Sequence, residues 1–166
     1  MAAQRHARKV AVRRAASGAT LVALAFASAL PLIASTTEHI VVDRNSGLAI
    51  HGFDPIAYFT DGAPMLGKGE FEHRHAGAVW RFRNSGNLSA FAADPEVYMP
   101  RFGGYDPVGV GRGVPAAGDP RIWTVVEQRL YLFQSLESRA VFAVDNARLL
   151  AAADEAWPSV LRTLTP

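Results

Sequence analysis

The hydrophobic pattern changes period several times along the chain, and each change marks an element. In EFEHRHAGAVWRF, residues 70–82, aromatic or apolar side chains alternate with charged ones on both sides of Ala76-Gly77. Period two predicts an antiparallel hairpin that pairs His75 with Ala78, His73 with Trp80 and Phe71 with Phe82 on one face. Glu72, Arg74, Arg81 and Arg83 then fall on the wet face. A second hairpin is predicted from Ile122 to Phe133, with strands IWTVV and RLYLF around Glu127-Gln128. Between the hairpins, Asn84 or Ser85 can cap a helix that places Leu88, Phe91 and Ala92 inward and ends at Asp94-Pro95. One further turn over Glu96 to Met99 brings Val97, Tyr98 and Phe102 to the core. Leu136, Ala140, Ala143, Ala147, Leu150 and Ala151 recur at helical spacing, widened by Phe142 and Leu149. They predict a long helix from about Leu136 to Trp157, stopped by Pro158. The fold class is therefore α+β: a small antiparallel sheet of hairpins with short helices and a long C-terminal helix. Its expected core is Tyr58, Phe71, Trp80, Phe82, Phe91, Tyr98, Trp123 and Trp157. We read no internal repeat, no low-complexity tract and no dividing linker, so residues 48–157 stand as a single domain followed by a tail, 158–166.

The start of the chain has a different character. Five bases between Arg5 and Arg14 precede the uncharged run AASGATLVALAFASALPLIA, which closes on small residues before STTEH. A positive stretch, an apolar stretch and small residues beyond it describe an export signal over residues 1–34. The run is also long enough to cross a bilayer, so an uncleaved anchor is the alternative, with residues 15–34 as the only membrane contact. Either way the domain lies outside the cytoplasmic membrane: periplasmic or extracellular after cleavage, anchored in the inner membrane and facing outward without it. Residues 35–47 read as a flexible lead or an edge strand.

Charge changes the picture once the leader is set aside. The whole chain is formally +2, but residues 1–34 hold 5 of its 17 bases and none of its 15 acids, which leaves the remainder at net −3. The basic balance belongs to the leader, and no nucleic-acid partner is expected of the domain. Trp80, Trp123 and Trp157 suit packing better than base stacking. There is no cysteine, hence no disulfide or thiolate chemistry. Ser35, Ser46, Ser85 and Ser89 lack a nucleophile elbow, and the glycines of GGY and GVGRGVP follow neither a Walker nor a dinucleotide pattern.

The candidate chemistry is carried by Asp54, His73, His75 and Asp106. Two imidazoles at alternate strand positions face the same way, and a loop carboxylate can complete a Zn, Mn or Fe site. The competing reading is structural. Asp54 accepts N–H bonds in the turn it starts, Tyr58 and His73 tie their polar tips together, His75 sits beside the hairpin turn, and Asp106-Pro107 caps a turn.

With these pieces in place, GFDPIAYFTDG, GKGEFEHRHAGAVWRFRNSGNLSAFAADPEVYMPRFGGY and DPRIWTVVEQRLYLF resemble the YHS domain family, and most closely its exported bacterial members, over about residues 48–157. The resemblance implies a compact unit of small sheet and short helices, associated with metal binding or with a module attached to metal enzymes and transporters. In the metal-associated relatives thiols lie near the positions of Ala57, Arg83 and Asn87 here, and exported relatives carry one where Asp106 stands. Without those soft donors a thiolate site is excluded, although Asp106 can bind a hard ion or pair with Arg112. The function expected is a non-catalytic exported binding or accessory domain for a small ligand or an exported protein partner. The alternative is a divalent-metal-binding protein or a small metal-dependent enzyme; no other cofactor is called for.

Overall fold

The computed structural model describes residues 39–164, and the export expectation for residues 1–34 lies outside them. Among the described residues the fold is mixed α+β, with two antiparallel two-stranded sheets, several short helices and one long C-terminal helix. No described helix is long and apolar enough to cross a membrane.

The first hairpin joins β1 (Lys68–His75) to β2 (Ala78–Phe82). Near the turn the register is the one that alternation predicts, His75 opposite Ala78 and His73 opposite Trp80. Ala76 and Gly77 both have positive φ, 49° and 81°, which matches the twist of the strands they connect. Farther out the expected Phe71–Phe82 pair is replaced: Phe82 lies opposite Lys68, while Arg81 still faces Glu72. The intervening residues form a bulge, which leaves Phe71 half-buried. The second hairpin, β3 (Asp119–Val126) and β4 (Arg129–Phe133), turns at Glu127-Gln128 as expected and begins three residues before Ile122. Its register shifts at the matching place, between Asp119 and Trp123.

That match extends to almost every feature, and it corrects the reading of a chain without a repeat. Gly52-Phe53-Asp54-Pro55 and Gly104-Tyr105-Asp106-Pro107 each follow a left-handed turn, with φ of 41°, 56° and 77° at Ile50, His51 and Gly52 and of 55°, 62° and 90° at Phe102, Gly103 and Gly104. Each is followed by one helical turn, α1 (Ala57–Thr60) after the first and α4 (Pro107–Val110) after the second. A bridge then forms to the strand entry, Phe53 to Leu66 and Tyr105 to Ala117. Gly67 and Gly118 give their N–H groups to Gly52 O and Gly104 O. Both must be glycine, since an added Cβ would lie 2.5 Å from the Arg81 carbonyl carbon in one case and 2.6 Å from Leu132 Cβ in the other. After each hairpin comes a nine-residue helix, α2 (Ser85–Ala93), capped by Asn84, and α5 (Leu136–Val144), capped by Ser135. One aromatic from each helix packs on two from its hairpin. Phe91 lies 5.0 Å from Trp80 and 5.1 Å from Phe82, and Phe142 lies 5.4 Å from Tyr131 and 5.1 Å from Phe133. The domain is built from two halves of matching backbone plan, here called repeats.

The two repeats differ in what covers their hairpins. The back of the first hairpin carries Glu72 and Arg81, ion-paired at 2.8 Å, and faces water. The back of the second carries Trp123, Val125, Leu130 and Leu132, all packed into the core of the first repeat. Its front, with Tyr131 and Phe133, builds the second core, so consecutive residues Leu130–Phe133 are all buried. A strand covered on both faces loses the apolar–polar alternation.

Three expectations for the flanks are corrected. The helix predicted over 136–157 is two: Asp145 leaves helical geometry at φ −152° and ψ 64° and caps α6 (Asn146–Thr163) by accepting the Arg148 N–H. The break re-aims the apolar face. Leu136, Ala140, Ala143, Ala147 and Ala151 are exposed, while Phe142, Ala153 and Val160 are buried. Pro158 does not stop α6 but lies inside it, while Trp157, Val160 and Leu161 pack in the second core, so residues up to Thr163 are helical and Leu164 is buried: the described part of the expected tail, 158–164, belongs to the fold. Residues 39–47 are not a loose lead either. Ile40 packs in the first core and Val41 in the second, and Val41 bonds to Gly103 O and Ile50 N. In tandem arrays the terminal units need a solvent-compatible cap; here the charged hairpin back caps one end and amphipathic α6, packed on α4, caps the other.

Candidate functional site

The four residues singled out from the sequence do not converge. Asp54 and Asp106 are the two buried carboxylates among the described residues, and each sits at the same place in its own repeat. Asp54 Oδ1 accepts the Ile56 N–H at 2.8 Å; its Oδ2 accepts the Arg83 N–H and the Asn87 side-chain amide, both at 2.7 Å. Asp106 repeats the pattern, with Oδ1 on Val108 N–H at 2.8 Å and Oδ2 on Gln134 N–H at 3.0 Å. Each aspartate thus ties the turn that opens its repeat to the residue that leaves the hairpin. Carboxylates bonded in this way act as clasps, with their lone pairs directed at N–H donors.

The clasps differ by one bond, and the difference explains an orphan. Ser138 occupies in the second repeat the helical position of Asn87 in the first. Its hydroxyl is too short to reach the carboxylate as the asparagine amide does, and among the described residues Ser138 Oγ is buried without a hydrogen-bond partner.

His73 and His75 do share a face, with ring centroids 6.4 Å apart and planes 20° from parallel, and both meet the ring of Phe91 edge-on, at 6.1 and 6.0 Å. Neither is tied to Tyr58, whose hydroxyl instead donates to Pro120 O at 2.8 Å while its ring meets Trp123. The nearest carboxylate to His75 is that of the exposed Glu96, at 3.9 Å. Among the described residues no three His, Asp or Glu side chains are placed to hold a metal ion. Arg112 and Asp106 form no ion pair, because Arg112 is exposed and Asp106 is buried.

One feature that the sequence reading missed is a partly open cavity of about 430 Å³ where four separate segments meet; a second, of about 440 Å³, lies between β3 and α5. The walls of the first come from His39 and Ile40, from the short helix α3 (Pro95–Tyr98) and the residues after it, from the start of β4, and from α6. Trp157 stands edge-to-face against Phe102, centroids 5.6 Å apart, and supplies an aromatic wall. Arg101 lies over the Phe102 ring at 5.2 Å and is ion-paired with Asp154. Arg129 donates to the Glu96 carbonyl and has no carboxylate partner among the described residues. Its volume is within the usual range for small-molecule sites. No local motif announces it, since Arg101, Arg129 and Trp157 are scattered over 56 positions that only the packed repeats bring together. No family model, no curated protein and no solved structure matches this chain.

Proposed function

We propose that this chain is an exported, non-catalytic binding or accessory domain, a single YHS-like domain over residues 48–157 built from two similar halves, and that the cavity between those halves holds its ligand. The cavity carries the reading: an aromatic wall beside a guanidinium with open donors is what a small-molecule site needs. The clasps support it from the other side. A general base or metal ligand needs an available lone pair, and Asp54 and Asp106 direct oxygens at N–H donors of the chain. Export rests on the basic and apolar leader, and places the domain in the periplasm or beyond, or on the outer side of the inner membrane if the leader is retained.

Ligand-observed NMR with a fragment mixture tests the cavity. Binders displaced from the native protein and lost in folded Trp157→Ala are expected; a mixture with no such binder would remove the reading. Mass spectrometry of the mature amino terminus tests export, with a start between about residues 30 and 37 if the signal is cleaved. A soluble cytoplasmic product beginning at Met1 or Ala2 would overturn it. The metal alternative rests on the parallel His73 and His75 rings. It predicts one submicromolar Zn site abolished by His75→Ala, whereas the binding-domain reading expects no tighter than about 10 μM, a range that dispersed surface imidazoles reach.

A further inference from the structure

We infer that the cavity between the repeats selects a small carboxylate with a flat apolar body, an inference that rests on the cavity being the binding site. The selectivity comes from an imbalance of charge along its wall. Two guanidiniums border the space, and they are not equivalent. Arg101 is neutralised by Asp154 and stacked on Phe102, so it is an oriented but already compensated group. Arg129 is half-buried beside the space, spends one donor on the Glu96 carbonyl and has no ion-pair partner among the described residues. The one acid on the wall does not serve it: the Glu96 carboxylate is directed toward His75, 3.9 Å away, and only its backbone oxygen meets Arg129.

A guanidinium presents five donors in a planar fork, so Arg129 retains a pair for a further acceptor, and a carboxylate is the acceptor whose spacing matches that fork. One uncompensated positive charge suits a monoanion. A phosphate dianion would call for a second free cation, and Arg101 is already paired. The rest of the ligand meets Trp157, Phe102 and Met99, a surface that favours a planar apolar group over a sugar or a long polar chain. Partial enclosure beside the aromatic wall strengthens the ion pair relative to one in open water.

The test is ligand-observed ¹⁹F NMR on the folded domain with 4-fluorobenzoate, its uncharged counterpart 4-fluorobenzamide, and the variants Arg129→Gln and Trp157→Ala, each first shown to be folded by its unfolding transition. Binding of the benzoate at least tenfold tighter than the benzamide, weakened tenfold or more in Arg129→Gln and lost in Trp157→Ala, is expected. Equal binding of the two probes, both lost in Trp157→Ala, would overturn the carboxylate selectivity and leave the binding cavity standing. Benzoate binding that survives Arg129→Gln would overturn the assignment to this guanidinium. Failure of both probes to bind the native protein would overturn the inference, and failure of the broader fragment mixture as well would overturn the cavity reading with it.

Discussion

The unequal clasps allow the two repeats to be used as controls for each other. Exchanging the distinguishing residues means Asn87→Ser in the first repeat and Ser138→Asn in the second. In the first, the Asp54 carboxylate loses an amide donor at 2.7 Å but keeps its two backbone N–H bonds. A hydrogen bond to a charged group contributes about 1.5–3 kcal/mol, so Asn87→Ser should cost about 2 kcal/mol. In the second, an asparagine amide can reach Asp106 Oδ2, which now accepts only the Gln134 N–H, and the orphaned hydroxyl of Ser138 is removed. Ordering the longer side chain offsets part of that gain, leaving about 0.5–1.5 kcal/mol of added stability. Urea unfolding followed by tryptophan fluorescence measures both; with a slope of about 2 kcal/mol/M, unchanged slopes with midpoint shifts of about 1 M downward for Asn87→Ser and about 0.25–0.75 M upward for Ser138→Asn are expected. If both substitutions lower the midpoint, or if Asn87→Ser leaves it unmoved, the equivalence of the clasps is wrong. The companion variant Asp54→Ala strands three donors where Asp106→Ala strands two, and should be the more damaging of the pair.

Other perturbations separate packing from chemistry. Trp80, on β2, is fully buried against Phe91 of α2, and Trp80→Ala should cost about 3–5 kcal/mol; equal denaturation midpoints would show that the aromatic cluster around Phe91 is not a core. Burial, reinforced by the negative charge of Asp119, pushes the Tyr58 phenol well above its ordinary value. The neutral form is therefore favoured by the fold. The stability it confers is complete below the unfolded value of about 10 and is lost as pH rises beyond it. Tyr58→Phe should flatten the alkaline limb of a stability–pH profile while costing about 1 kcal/mol at neutral pH for the lost bond to Pro120 O; a limb as steep as the parent's would refute the assignment. Pro158 interrupts the hydrogen bonding of α6 on its exposed side, so Pro158→Ala should stabilise by about 1–3 kcal/mol in thermal unfolding, and a loss of stability would mean that the ring is needed for packing.

Local alternation carried a large part of this fold. His73 opposite Trp80, His75 opposite Ala78 and the turns at Ala76-Gly77 and Glu127-Gln128 follow from period two and turn geometry over a dozen residues, and the caps at Asn84 and before Asp94 are equally local. Asp54 and Asp106 stood out because an acid before a proline in an apolar setting needs donors, and nearby N–H groups supply them. The charge asymmetry of residues 1–34 also needed no coordinates. The likeness of the two halves was present in the letters as two glycine–aromatic–Asp–Pro quartets 52 residues apart, but residue identity elsewhere is too low to reveal it. Matching left-handed turns, bulges and clasps reveal it because backbone geometry persists where side chains have diverged.

Only tertiary packing decided the rest. The bulge that separates Phe71 from Phe82 comes with the close approach of Gly67 to the Arg81 backbone, a contact across the hairpin that no window of sequence reports. The break at Asp145 overrides a helical pattern that runs straight through it, and so reverses which alanines face inward. Burial of both faces of β4 depends on its lying between two cores, and the cavity depends on four segments meeting, with Arg129 in no ion pair among the described residues. Periodicity records what one segment prefers against a generic interior. Which neighbour covers it, and where the covers fail to meet, is determined by contacts between residues far apart in the chain.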